Sequence, residues 1–231
     1  EKDCIMTAVY LKEVTDDYRF PGHKYGCSGI DGITFAPMPG ENEGNYLYVA
    51  YGIYGDPKRK DNDYQILLQY NPEKLRQYEY PLNEENMHTK GPILPENKYF
   101  VYTGNTTYGI QNLEYDKENA CLLIAVYKGR KLRFPNYLMY AADIGIPAEA
   151  SALRGLNETG MLLSLKQLDF FTKRRKISGC NFPYGSTGMV SLGNGSFLFS
   201  EEFCDKNGHG TDIYSYKLNP GKGFIKEPII L

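Results

Sequence analysis

The sequence predicts an all-β protein assembled from a repeated antiparallel meander, and three observations carry that expectation. Aromatic residues are abundant, with 21 Tyr and 11 Phe among 231 residues, and such side chains suit the pleated, half-buried surface of a sheet. Glycine and proline are frequent, at 24 and 13, which supplies turns at short intervals. Strong helix formers never recur at helical spacing over a long window, whereas short apolar runs bounded by turn residues recur throughout.

The order of those runs repeats. Segments 28–33 (SGIDGI), 108–113 (YGIQNL) and 184–189 (YGSTGM) each place a glycine second, at Gly29, Gly109 and Gly185, spaced 80 and 76 residues apart. Each is followed by a second apolar run, at 46–51, 121–127 and 197–200. A third follows at 64–70, 137–144 and 212–218, and a weaker fourth at 99–102, 161–165 and 224–230. Three units result, 28–103, 104–170 and 171–231, in one continuous array. Residues 1–27 add a loop and a strand of an adjoining unit at 5–11. Between runs lie turn clusters; Asn194-Gly195 is a strong hairpin signal. Each unit therefore reads as a four-stranded antiparallel meander.

The second runs show how these meanders pack. A sheet with one wet face alternates apolar and polar residues, but the run 121–127 (CLLIAVY) does not alternate, which predicts burial of both its faces. A meander buried on both faces and repeated along the chain describes a blade of a β-propeller. A β-sandwich is the alternative; it predicts clearer alternation and no long-period repeat. Over residues 28–231 the strand order and the glycine of the first strand resemble the propeller repeat proteins, including NHL-type and gluconolactonase-like propellers. The resemblance implies a central channel lined by the first strands, with ligands bound at its mouth, although propellers host many functions. Three units and one extra strand fall short of the four to eight blades of a closed ring. The array is therefore expected to be an N-terminally truncated piece, since it starts at Glu1 without Met, or to contain more and shorter blades, or to be an open stack that needs another chain.

Composition narrows the function classes. A formal net charge of −2 excludes an electrostatic nucleic-acid binder. An apolar content of 42% excludes a disordered acidic tail, and no stretch of roughly 18 apolar residues predicts a membrane span. Cys4, Cys27, Cys121, Cys180 and Cys204 form no CxxC pair, which argues against a zinc ribbon or a thioredoxin-like site. Cys121 reads as a small buried hydrophobe. One or two disulfides would fit an extracellular or cell-envelope protein, with at least one thiol left over.

No HExxH, GxSxG, Walker or GxGxxG motif occurs, and His23, His88 and His209 are scattered. Function is expected at the aligned first strands. The residue two after each glycine is Asp31, Gln111 and Thr187; the next is Gly32, Asn112 and Gly188. Small and polar residues at one repeat position read either as donors and acceptors facing a channel, or as groups that satisfy backbone where strands converge. Tyr25, Tyr108 and Tyr184 precede the same strands, where a ring can stack on a sugar or pack between blades. The preferred reading is a binding module, without a cofactor, that holds a carbohydrate or small polar ligand through Asp31, Gln111, Asn112, Thr187, Tyr108 and Tyr184.

The alternative is a hydrolase of the lactonase or glycosidase kind. The resemblance to gluconolactonase-like propellers implies a divalent metal held by carboxylate and amide oxygens; Asp31 and Asn112 match in type, but a third and a fourth ligand are not identifiable. A glycosidase needs two carboxyl groups flanking one bond, and Asp31, Glu114, Glu201 and Glu202 qualify by type. Glu114, three residues from Gln111, is expected on the opposite face of the strand. Segment 205–212 (DKNGHGTD) opens like a calcium loop but has His209 at its fifth position and Tyr216 at its twelfth, and reads as a glycine-rich hairpin turn. The basic run 173–176 (KRRK) reads as a solvated loop entering the third unit.

Overall fold

The computed structural model describes residues 6–19, 27–53, 56–82, 89–104, 109–206, 208–219 and 221–228. Strands account for 50% and helices for 5%, so the protein is mostly β. In chain order the elements are β1 (Thr7–Ala8), α1 (Lys12–Arg19), β2 (Cys27–Ala36), β3 (Tyr46–Ile53), β4 (Tyr64–Tyr70), α2 (Pro72–Arg76), β5 (Tyr80–Pro81) and β6 (Asn97–Tyr102). Then come β7 (Ile110–Asp116), β8 (Cys121–Val126), β9 (Met139–Asp143), β10 (Glu149–Ala152), β11 (Thr159–Leu163), β12 (Thr172–Arg174) and β13 (Ile177–Gly179). The last four are β14 (Met189–Gly193), β15 (Ser196–Asp205), β16 (Gly208–Asn219) and β17 (Gly223–Glu227). No helix among the described residues is long and apolar enough to cross a membrane.

The three units fold as antiparallel meanders. β2, β3, β4 and β6 pair in that order, as do β7, β8 and β9, and β14 to β17. Their registers correspond. Ile33 faces Val49, which faces Leu68; Leu113 faces Ile124, which faces Tyr140; Met189 faces Phe199, which faces Tyr214. Counted from Gly29, Gly109 and Gly185, the three rows are one row. The non-alternating runs are buried on both faces: every residue of β4 and of β8 is buried. Gln65 and Gln69 fit within β4 because each is bonded. Gln65 donates to Thr103 Oγ1 (3.1 Å) and Gln69 to the Tyr48 hydroxyl (2.7 Å), while Tyr99 and Asn97 donate to Gln69 Oε1. The last hairpin follows its sequence signal: Gly193 pairs with Ser196 around Asn194 (φ 53°) and Gly195 (φ 67°), both left-handed as a type I′ turn requires.

Apolar clusters lie between units. One joins Tyr48, Ala50 and Leu67 of the first to Leu113, Leu122 and Ile124 of the second. Another joins Leu123, Ala125 and Met139 of the second to Met189, Phe197 and Phe199 of the third. The remaining face of the first unit is covered by Val14 and Leu11 of the N-terminal segment and by Leu153 and Leu162.

Four details depart from the sequence reading. The expected strand at 5–11 is reduced to β1, which pairs with β5, and α1 follows it. The expected fourth strand of the second unit is divided between two sheets. β11 runs parallel to β6 of the first unit, and only the segment after it returns to β9, through an Ala142–Leu165 bridge. Tyr184, Gly185, Thr187 and Gly188 precede β14 in a turn instead of opening it. The basic run is solvated as expected, all four residues being exposed, but it is a hairpin instead of a loop: Lys173 and Arg174 lie in β12, and Arg175 and Lys176 (φ 54° and 65°) turn the chain into β13.

Candidate functional site

The first strands β2, β7 and β14 lie side by side. Gly32 makes this possible between β2 and β7: a Cβ there would stand 2.9 Å from the Leu113 nitrogen, closer than packed atoms tolerate. Gly185 lets the third unit approach the second, because a Cβ would meet Met139 Cε at 2.8 Å and Ala125 Cβ at 3.0 Å. One hydrogen bond then recurs between units. The Tyr115 N–H donates to Thr34 Oγ1 (3.3 Å), and the Ser191 N–H donates to Glu114 Oε1 (3.1 Å). Thr34 and Glu114 each stand five residues after the aligned glycine, and Tyr115 and Ser191 each stand six after it. Successive units are thus related by a repeated contact, with their first strands in one direction.

Asp31 and Gln111 share a geometry that counting residues does not disclose. In β2, Ile30 faces Tyr51 and Gly32 faces Ala50; in β7, Ile110 faces Val126 and Asn112 faces Ala125. Asp31 and Gln111 are the extra residues of two bulges at one repeat position. A bulge unpairs a residue, twists the strand and re-aims a side chain. Asp31 is exposed and Gln111 half-buried. The glycines before the bulges, at φ 116° for Gly29 and 73° for Gly109, take conformations that L side chains rarely adopt.

Gln111 Nε2 donates to the Ile110 carbonyl at 3.5 Å, and Asn112, Thr187 and Tyr184 are engaged as well. Asn112 Oδ1 accepts the Leu113 N–H at 2.9 Å. Thr187 is exposed, donates to the Ser200 carbonyl (3.0 Å) and accepts from the Ser200 hydroxyl (3.0 Å). Tyr184 packs against Phe182 and Tyr216, with ring centroids 5.5 and 6.2 Å away, in the aromatic core of the third unit. Tyr108, Tyr25, His23 and His88 lie outside the described residues.

The structure adds a feature beside Asp31. An apolar groove of about 460 Å³, lined by Tyr10, Leu11, Val14 and Ile30 among others, runs between α1 and the start of β2. No sequence signal pointed to it, because it depends on α1. A cavity of about 290 Å³ lies at the opposite end of the first strands, against Glu118, Lys166, Asn194 and Lys217, and none of the named residues lines it. No family model, curated protein or solved structure matches the chain.

The carboxyl groups do not assemble into a pair around Asp31. Glu114 turns toward β14, and burial raises its pKa, partly offset by the Ser191 N–H. Glu201 is engaged by the Tyr216 hydroxyl and by Lys226 at 3.0 Å. Among the described residues, no group of three or more His, Cys, Asp or Glu could hold a metal ion. The segment resembling a calcium loop lies in the β15–β16 hairpin: Asp205 pairs with Gly208, and His209 sits opposite Cys204, Nε2 to Sγ 3.8 Å. Cys121, Cys180 and Cys204 are free thiols; burial pushes the Cys121 thiol well up and that of Cys180 up to about 12, which disfavours the thiolate form of both.

Proposed function

We propose that the chain is an arc of propeller-like blades acting as a binding module, with its ligand, a carbohydrate or other small polar molecule, held around Asp31 and Gln111. The observation that supports this reading is the pair of bulges: two neighbouring first strands give up a ladder pairing at one repeat position, and each carries a polar side chain there. A carboxylate accepts hydroxyl protons and a carboxamide both donates and accepts, a combination that suits adjacent hydroxyls. The groove between α1 and β2, lined by Gly29 and Ile30 just before Asp31, offers apolar surface next to that residue in the chain, as ligand sites combine apolar surface with few polar anchors. Asn112 and Thr187 hold the backbone in place, and Tyr184 supports the third unit from its aromatic core.

The test is a panel of mono- and oligosaccharides, sugar lactones and aryl glycosides, followed by ligand-observed NMR and by product formation. Binding without turnover, weakened at least about tenfold by Asp31→Ala and by Gln111→Ala, is the expected result; tenfold corresponds to about 1.4 kcal/mol, a typical charged hydrogen bond. Turnover that disappears in Asp31→Ala would replace this reading with the hydrolase. Binding indifferent to both substitutions would place the site elsewhere.

A further inference from the structure

The repeat shows which positions a neighbouring unit covers, and on the first strand of the first unit and on the far face of the third those positions are bare and apolar. On the side facing the preceding unit, Leu113 and Met189 are 0% and 8% exposed; Ile33, at the same repeat position in the first unit, is 58% exposed. On the side facing the following unit, Leu67 and Met139 are fully buried, while Ile213 is 59% exposed; the three are equivalent because they pair with Ala50, Ala125 and Ser200. Val190 and Leu192, equivalent to buried Thr34 and Ala36, are likewise exposed. Phe35 extends the bare row on β2. Isolated exposed apolar residues need no explanation, but two rows at matching interface positions mark an interaction surface.

We propose that these two rows dock on each other between two copies of the chain, the β2 row of one copy seated on the β14–β16 face of the other. The contact continues an interface that the chain already makes twice, between its first and second units and between its second and third. Two copies supply six units, within the four to eight of a closed ring, and a two-fold axis along the ring makes both contacts equivalent. At the third unit the acceptor position occupied by Thr34 and Glu114 is Val190, so this contact is apolar and lacks the hydrogen bond of the internal ones. Because α1 and Leu153 already cover β3 and β4 of the first unit, the contact is confined to the first-strand row and its strength depends on concentration. The proposal rests on the arc reading above. Association and sugar binding are read separately, so Asp31→Ala can lose its ligand while the chain still associates, and the reverse.

Sedimentation velocity of the purified 231-residue chain over a wide concentration range tests it. The expected result is a mass rising from 26.3 kDa toward twice that value. Ile33→Glu and Ile213→Glu, both at exposed positions and so compatible with folding, each weaken association at least about tenfold. An equimolar mixture of the two variants associates better than either alone, because one of the two contacts is then native on both sides. A mass of 26.3 kDa throughout overturns the proposal. So does association lost in Ile213→Glu but untouched in Ile33→Glu and not recovered on mixing, which would mean face-to-face pairing of the third units.

Discussion

Glu114 shows how a single carboxyl can join two units at a cost. It accepts the Ser191 N–H, yet burial favours its protonated form and holds its pKa above the ordinary carboxyl value. The folded protein therefore binds this proton more tightly than the unfolded chain does. The corresponding stability is fully present below the ordinary carboxyl pKa and is lost as pH rises through the raised one. Glu114→Gln keeps the acceptor without the charge, and is expected to melt above the wild type at pH 8 and level with it at pH 4. Glu114→Ala loses the bond, worth about 1 kcal/mol, or roughly 2–4 °C for a chain of this size. Melting curves of the three proteins at both pH values check this. Gly32→Ala fails for another reason: the added Cβ meets backbone at 2.9 Å, and overpacking of this kind costs about 1–3 kcal/mol, measurable as a lower urea midpoint. The sequence disclosed Asp31 and Gln111 as repeat equivalents but not as bulge residues, because a bulge is defined by the partner strand.

Elements were legible where burial alone decides them. β3, β4 and β8 coincide closely with apolar runs, since a strand buried on both faces leaves a continuous signal in the sequence, whereas β15 only contains its run 197–200 and continues, exposed, to Asp205. α1 was missed because KEVTDDYR is short and mostly polar, and its few apolar contacts come from packing on β2 and β3. β11 pairs outside the unit in which the sequence places it, because its parallel pairing with β6 joins residues about sixty apart and nothing local specifies that. Between the β3–β4 and β8–β9 connections lies a further unpredicted joint. Lys131 and Asp63, with side chains 1% and 5% exposed, form a buried ion pair; Arg133 binds the other side of Asp63 at 2.7 Å, and Asn62 Oδ1 accepts from Lys131 at 2.5 Å. Burial lowers the Lys131 pKa against the pull of Asp63. Removing one partner of such a pair strands the other, at about 3–5 kcal/mol. Asp63→Asn is therefore expected to be severely destabilised, and Lys131→Met to recover part of the loss in the double variant. A double-mutant cycle by urea unfolding reads the coupling; additivity would refute it.

At the scale of the whole molecule, protection against unfolding is unevenly distributed along the array. The first two units are stitched together three ways: by their shared apolar cluster, by the segment that pairs first with β6 and then with β9, and by the Lys131–Asp63 joint. The third unit meets a single neighbour, through one cluster, the Glu114–Ser191 bond, the Met139–Cys180 backbone bridge and the Ser178–Gln167 bond, and its far face is bare. Stability in repeat arrays is close to a sum of unit and interface contributions, so the unit with one interface opens first. Amide hydrogen exchange is expected to show the slowest rates in β4 and β8, whose residues are all buried, and faster exchange, through opening of the third unit alone, in β16 and β17. Raising protein concentration should slow exchange in β14–β17 if a second copy covers that face, and leave β8 unchanged. Equal protection of β17 and β8 at low concentration would instead mean that the three units unfold as one, and that the inter-unit cluster around Phe197 and Phe199 is as strong as the three joints between the first two.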